Sequence, residues 1–458
     1  MRFSHLIIIG VLAFAAGILV SVLLSGPDNA DEAQSRLCRA MLPALAPDDS
    51  AVTVTRVGRG PSAASVRVDY VANETSGRQR ARFVVCAFAE EGLGARKTDL
   101  VSVITERGRM SDASLFFLRR YWLDQPEAAL RIPPPPTRKP LLGRTSKRAA
   151  YAIQQAVAGL PLTAVTGLLA TAYALVYGLV GRIILTFGEF AALGAAGVTL
   201  GVALAQAGGV ADTLALLAIG LAFAAWVTAS WGAAAAKLVL APVVRQSGQH
   251  VLIATVGLAL AISEGIRLTQ GYNTRWMSPV WNEPISLADA PDFAATTTPI
   301  TLIVSAAAIL SSVALVLFMR RSRYGRAWRA AADDAVAASM CGVDVQRTVM
   351  TACALACCVA GLSGFLLTLH IGGMGFGGGG VFGLKALVGA IVGGVGSVGG
   401  AMLGGLAVGA LEALWSSTMP IEWRDVAVFS LLSVVLIFRP GGFFGEGGTK
   451  DRPQGRAL

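Results

Sequence analysis

Apolar and polar positions along this chain follow two regimes that change over near residue 150. Between about Ser25 and Leu130 the two kinds of residue alternate over short stretches, at Ala51 to Arg56, Ala64 to Val71 and Ala81 to Phe88. A period of two is the pattern of half-buried strands. Asn73 to Gly77 (NETSG) predicts a hairpin turn between the last two, Val101 to Glu106 a further strand, and Asp112 to Leu123 a helix. Beyond residue 150 the apolar runs lengthen to the size of membrane spans. They fall at 152–178, 187–206, 211–236, 250–268, 299–318 and 347–369, followed by a glycine-laden pair at 383–396 and 399–416 and a last run at 425–438. One earlier run, Leu6 to Leu24, comes after Arg2 and His5 and predicts either a cleaved signal peptide or an uncleaved anchor. No clear small-x-small site precedes SGPDNADEAQ, which favours the anchor, and both readings export the polar region beyond it. The pattern predicts an α-helical polytopic membrane protein with about 8–10 transmembrane helices, including a Gly-rich broken pair, plus a small N-terminal α/β extracytoplasmic domain.

The expected divisions are a signal anchor or signal peptide at 1–25, a small α/β periplasmic domain at 26–130, a Pro-rich basic linker at 131–150, a transmembrane domain at 151–445 and a cytoplasmic tail at 446–458. The prolines of the linker, RIPPPPTRKPLLGRTSKR, favour an extended spacer.

Charge sets the orientation. Loops rich in Lys and Arg stay on the cytoplasmic side. Counting crossings from Arg2 puts the polar domain outside and the loop carrying Arg245 inside. The count then puts the Trp276 and Trp281 loop outside, and Arg320 to Arg347 inside with the tail. The linker's basic residues run against this count, but long domains translocate largely regardless of such charge. Arg320 to Arg347 is the longest strongly charged interruption in the apolar half. Arg320, Arg321, Arg323, Arg326 and Arg329 come first, then Asp333 and Asp334, then a small-residue stretch. Ala327 to Met340 predicts one short helix stopped by Gly342. A surface helix bracketed by spans suits docking of a soluble partner; the plainer reading is a solvated loop that only sets topology.

Composition sharpens the class. Of 458 residues, 54% are hydrophobic and 14% charged, and mean hydropathy is +0.62. The 53 glycines suit close helix packing in lipid. The net charge of +10 sits mostly beside apolar spans, so it reads as topology signal rather than nucleic-acid affinity. No His lies between His5 and His250, which excludes His triads and His metal sites from the polar domain. Cys38 and Cys86 become a candidate disulfide if that domain is periplasmic, although their distance in sequence leaves open whether they meet. Cys353 and Cys357, one helical turn apart, read as small packing residues.

Gly394 to Gly399 matches G-x-G-x-x-G literally, but its flanks are spans, not a strand and crossover helix, so it reads as a broken-helix turn. GGMGFGGGG, at 372–380, predicts an irregular connection. Gly393, Gly400 and Gly404 recur at spacings that place small residues on helix faces. Arg182, Glu189, Glu264, Lys385 and Glu412 are ionisable residues in or beside spans, where charge is costly. Glu189 (beside Gly188) and Lys385 (beside Gly383) stand out as candidates for a translocation path, set against an intramembrane ion pair. No G-x-x-x-x-G-K-[ST] loop occurs, so the chain is not expected to hydrolyse ATP, and neither a cofactor nor a metal is expected. A secondary transporter would show inverted repeats, and no convincing halves are visible.

Several motifs together resemble those of bacterial branched-chain amino acid ABC transporter permeases. Tyr173-Ala-Leu-Val-Tyr-Gly178 and Gly188-Glu189-Phe190 with Leu193-Gly194 resemble that family's first-span signature. Arg323-Tyr-Gly-Arg-Ala327, Asp334 to Gly342, Gly361-Leu-Ser-Gly364, Gly383-Leu-Lys-Ala386 and Gly393-Gly-Val-Gly-Ser397 continue the likeness. So do Gly399 to Gly405, Glu412-Ala-Leu414, Arg424-Asp425 and Arg439-Pro-Gly-Gly-Phe-Phe-Gly445. The resemblance covers about 152–445 and leaves out the first 150 residues. It implies a multi-pass subunit of the bacterial inner membrane, not itself an enzyme, that conducts branched-chain or similar amino acids. It also implies a second related permease, two cytoplasmic ATP-binding subunits and a periplasmic binding protein as partners, with membrane lipid around it and no nucleic acid. By the same resemblance Arg326, Arg329, Asp333, Asp334 and Gly342 are expected to form the ATPase-coupling loop. Ile184-Leu185-Thr186-Phe187 departs from the family, whose members usually carry Asn and His before the Gly-Glu pair. Relatives also move urea, short amides and other small polar solutes.

Overall fold

The computed structural model describes residues 31–46 and 51–444, apart from 63, 74–78, 91–95, 126–131, 134–145, 241, 243–247, 272–274, 283–284, 291–292, 395 and 440. The Leu6 to Leu24 run, the NETSG turn, most of the linker and the 446–458 tail lie outside the described residues.

The polar region folds around one sheet. Helix α1 (Glu32–Ala40) starts where the Asp31 carboxylate accepts hydrogen bonds from the Ala33 and Gln34 N–H groups, and a short α2 (Leu42–Leu45) comes next. Strands β1 (Ala51–Arg59), β2 (Ser65–Asn73), β3 (Gln79–Phe88), β4 (Leu100–Thr105) and β5 (Gly108–Arg109) form an antiparallel meander in chain order. The alternation predicted this. Val66, Val68, Tyr70 and Ala72 of β2 are buried with Val84, Cys86 and Phe88 of β3, and α1 and α2 cover them with Cys38, Met41 and Leu42. Cys38 and Cys86 are joined as a disulfide across this core, with Cα atoms 6.0 Å apart. Helix α3 (Asp112–Leu118) ends in a π-helical turn, and the Trp122 Nε1–H donates to the Ala40 carbonyl at 2.8 Å. Neither α1 nor α2 was expected from the sequence pattern.

The apolar region is a helical bundle. Its helices are α4 (Lys147–Val180), α5 (Phe187–Ala207), α6 (Thr213–Ala235), α7 (Gly248–Gln270) and α8 (Pro299–Arg321). After them come α9 (Arg323–Asp333), α10 (Ala335–Met340), α11 (Val345–Ile371), α12 (Gly378–Gly393), α13 (Val398–Thr418) and α14 (Arg424–Phe438). Among the described residues, 7 helices are long and apolar enough to cross a membrane, and α12 is a shorter apolar helix. This is a polytopic helical membrane protein.

Helix α4 is the axis of the bundle. All its residues from Ala164 to Val176 are buried, as expected of a helix that is apolar all round. Helix α13 runs antiparallel to it at very short range. A Cβ at Gly405 would lie 2.8 Å from Gly167 Cα, and one at Gly409 2.6 Å from Thr163 Cα. Helix α12 makes the same kind of contact with α13. A Cβ at Gly389 would lie 2.6 Å from Gly405 Cα, and Gly393 and Gly404 meet backbone to backbone. Without a hydrophobic drive between helices in lipid, such close backbone approach supplies the packing energy.

Two expectations are corrected. The single helix from Ala327 to Met340 is two helices broken at Asp334, whose carboxylate caps the second. The first span of the glycine-laden pair is Gly378–Gly393, not 383–396, and so begins inside the run expected to be irregular. Contact with Gly188 of α5 outweighs the intrinsic cost of glycine in a helix. The loop between α7 and α8 carries a hairpin, β6 (Ile285–Ala290) and β7 (Phe293–Thr297), that the sequence pattern did not signal. It rests on the start of α4, where the Thr296 N–H donates to Gln154 Oε1 at 2.6 Å.

Candidate translocation and coupling sites

The arginine-led segment is built onto the bundle rather than suspended from it. The Ser322 hydroxyl caps α9 by accepting from the Gly325 N–H at 2.9 Å, and Gly325 lies directly on the Met319 carbonyl of α8. One turn on, Trp328 is 5% exposed. Its Nε1–H donates to the Leu175 carbonyl of α4 at 2.9 Å, and its ring fills the space where Gly178 has no side chain. Arg329 donates to the Met319 carbonyl at 2.6 Å and to the Arg320 carbonyl at 3.4 Å, satisfying end groups of α8. The Tyr324 hydroxyl donates to the Thr348 carbonyl at 3.1 Å, and burial pushes its pKa up to about 12. Three helices of the bundle thus hold α9.

Beyond this clamp the chain turns outward. Asp334 accepts from the Val336 and Ala337 N–H groups at 2.8 and 3.0 Å. Gly342, at φ 83°, ends α10, and the Val343 N–H donates back to the Ala338 carbonyl. Arg326, Asp333, Asp334 and Gly342 are exposed, and Val336 and Met340 present 55% and 82% of their surface. Of the five residues expected in the coupling loop, Arg329 is exposed but also serves as a cap. The anchor, Trp328, was not singled out in the sequence; a lone Trp among arginines on an amphipathic helix was the available signal.

Lys385 and Glu189 do not meet. Lys385 lies 2.8 Å from Glu412 and 2.8 Å from Asp425, and Arg424 lies 3.1 Å from Glu412 and 3.7 Å from Asp425. Two cations and two anions therefore tie α12, α13 and the start of α14 together. The side chains of Lys385 and Glu412 are almost wholly buried. Such a cluster costs desolvation that only its full set of partners offsets.

Glu189 stands in the first turn of α5 and is 6% exposed. There the starts of α5 and α12 come together over glycine. A Cβ at Gly188 would lie 2.6 Å from Gly383 Cα, and one at Gly380 would lie 3.3 Å from Glu189 Oε1. Oε2 has no hydrogen-bond partner among the described residues, nor has the Tyr173 hydroxyl of α4, itself 3% exposed. A Cβ at Gly379 would sit 3.0 Å from Oε2, and one at Gly383 2.9 Å from the Tyr173 hydroxyl. The glycines leave both polar groups room. No group of three His, Cys, Asp or Glu residues that could hold a metal occurs among the described residues.

Comparison with known proteins bears on this architecture. A family model described as "Branched-chain amino acid transport system / permease component" matches residues 155–438. The high-affinity branched-chain amino acid transport system permease protein LivH of Salmonella typhimurium is 30% identical over 301 residues, 66% of this chain and 98% of the relative. LivH of Escherichia coli K12 matches to the same extent. The permease protein BraD of Pseudomonas aeruginosa is 27% identical over 294 residues, 64% of this chain and 96% of its own length. No solved structure matches. The family match begins at residue 155 and so leaves the sheet domain uncovered.

Proposed function

This chain belongs to the family of branched-chain amino acid transport permeases, and from that premise we propose that it forms part of the membrane path for branched-chain or similar amino acids. It is a multi-pass permease subunit of the ATP-binding-cassette type, not itself catalytic, in a family that works with ATPase and binding-protein partners. In the finer reading, two cytoplasmic ATPases act on α9 and α10, a second related permease completes the path, and a periplasmic protein delivers the substrate. The observation that carries this reading is the Trp328 clamp. It fixes α9 to α4 while α10 offers Val336, Met340 and the Asp333–Asp334 pair outward. A segment anchored on one side and exposed on the other can transmit a push.

The test is uptake into proteoliposomes holding the assembled transporter, with labelled leucine, isoleucine and valine beside urea and acetamide. ATP-dependent uptake of the aliphatic amino acids is expected. Uptake of urea or acetamide alone would replace the substrate class, and uptake without any ATPase would remove the coupling role. Replacing Asp333 and Asp334 by Lys is expected to abolish ATP-coupled uptake while leaving membrane insertion intact, since reversed charge at a docking surface repels its partner.

A further inference from the structure

We propose that Glu189 is the subsite that receives the primary ammonium group of the transported molecule, with the Tyr173 hydroxyl as its second polar contact. The proposal rests on the amino-acid reading above and gives that reading a residue. Among the described residues of the bundle, three charged side chains are buried: Glu189, Lys385 and Glu412. Lys385 and Glu412 neutralise each other within the four-residue cluster, whereas among the described residues no cation lies within ion-pair distance of Glu189. A lone carboxylate inside a helical membrane bundle is costly, and such groups mark pathways.

The surroundings separate a subsite from a mere cap. One oxygen, Oε1, faces Gly380 at the start of α12, and a carboxylate at a helix start is favoured by the helix dipole. The other oxygen, Oε2, has no hydrogen-bond partner among the described residues, and the Tyr173 hydroxyl, near the same glycines and close to the Gly188 backbone, has none within hydrogen-bond geometry. An ammonium carries three donors, and these two oxygens can accept from it. Access is by way of α12, where Gly377, Gly380, Val381 and Leu384 are exposed on one side of the helix start. Glycine at 380 puts no side chain against Oε1, where a Cβ would lie 3.3 Å away. Discontinuous helices whose starts meet inside a bundle form binding sites in other transporters for the same physical reasons.

The experiment compares wild type, Glu189→Gln, Glu189→Asp and Tyr173→Phe in the assembled transporter, using labelled leucine. Gln keeps the shape and an acceptor oxygen for α12 but loses the charge. The expected result is a fall of about tenfold or more in maximal uptake for E189Q, with partial retention in E189D. Y173F should fall by a few-fold. The half-saturating concentration should hold in all three, because the delivering protein sets it, and ATP hydrolysis should persist. Uptake by E189Q within about twofold of wild type would show that the carboxylate only caps α12, and would overturn the proposal. If E189Q fails to assemble, Y173F decides, since it removes only one hydroxyl and keeps the ring; an unchanged rate there overturns the proposal too. Failure of the amino-acid reading is seen separately, in the wild type, as import of urea or acetamide without leucine.

Discussion

Trp328 shows how much one side chain carries. Replacing it by Ala removes a buried indole and its bond to Leu175, so α9 loses its hold on α4. ATP-coupled uptake should fall by about tenfold or more while insertion is unchanged, as measured in proteoliposomes and by membrane fractionation. Trp328→Phe keeps a ring and should cost only about 1 kcal/mol, read as a small drop in melting temperature. Lys385 makes a complementary case. Lys385→Ala leaves Glu412 buried with Arg424 as its remaining partner, so destabilisation should lie toward the low end of roughly 3–5 kcal/mol. Removing both charges as Lys385→Met with Glu412→Leu should restore much of the melting temperature, and a double variant no better than the single one would contradict the pairing. The costliness of Lys385 and Glu412 was visible in the sequence. Their partnership was not, because Arg424 and Asp425 open a different helix and no period along the chain links them.

At the level of elements, most helices were legible because a span must be long and apolar whatever its neighbours. The exceptions share a cause. Asp334 reads as a tolerable helix residue, yet its short carboxylate competes for backbone N–H groups and starts a second helix instead. Asp334→Ala should therefore weaken α10 by about 1 kcal/mol, seen as faster amide exchange over Val336 to Met340. The glycines that open α12 read as irregular because propensity counts only local cost, and contact with Gly188 is a tertiary gain. Gly389→Val tests that gain. Its branched side chain would meet the Gly405 backbone, and a loss of about 1–3 kcal/mol or more in melting is expected. The hairpin of β6 and β7 stayed hidden because an Ala- and Thr-rich loop of that size carries little alternation.

Over the whole molecule, the sequence divided the chain into a sheet-forming and a span-forming part, and the structure has both. The proposed site was legible as a set of costly residues, Glu189 among them, but not as a constellation, since Tyr173 and Gly380 come beside Glu189 only through packing. The orientation makes a two-sided prediction. Cys38 and Cys86 are paired in the sheet domain, whereas Cys341 is a free, exposed thiol beside the end of α10. An impermeant maleimide should modify Cys341 only after the cells are broken, and Cys38 and Cys86, which are buried in the core, only after reduction and unfolding. Labelling of Cys341 in intact cells would turn the molecule over.

Helix α4 touches Trp328 near one end, the β-hairpin near the other, and the backbone of α13 between them. Where main chains meet directly there is little soft material to absorb a displacement, so the shaft is stiff. A tilt imposed near Leu175 would reach Gly405, and through it α12 and Glu189, almost undamped. Fuel consumption and cargo movement should then be separable by one spacer: Gly405→Ala, which wedges α4 from α13, is expected to leave nucleotide turnover running while delivery stalls.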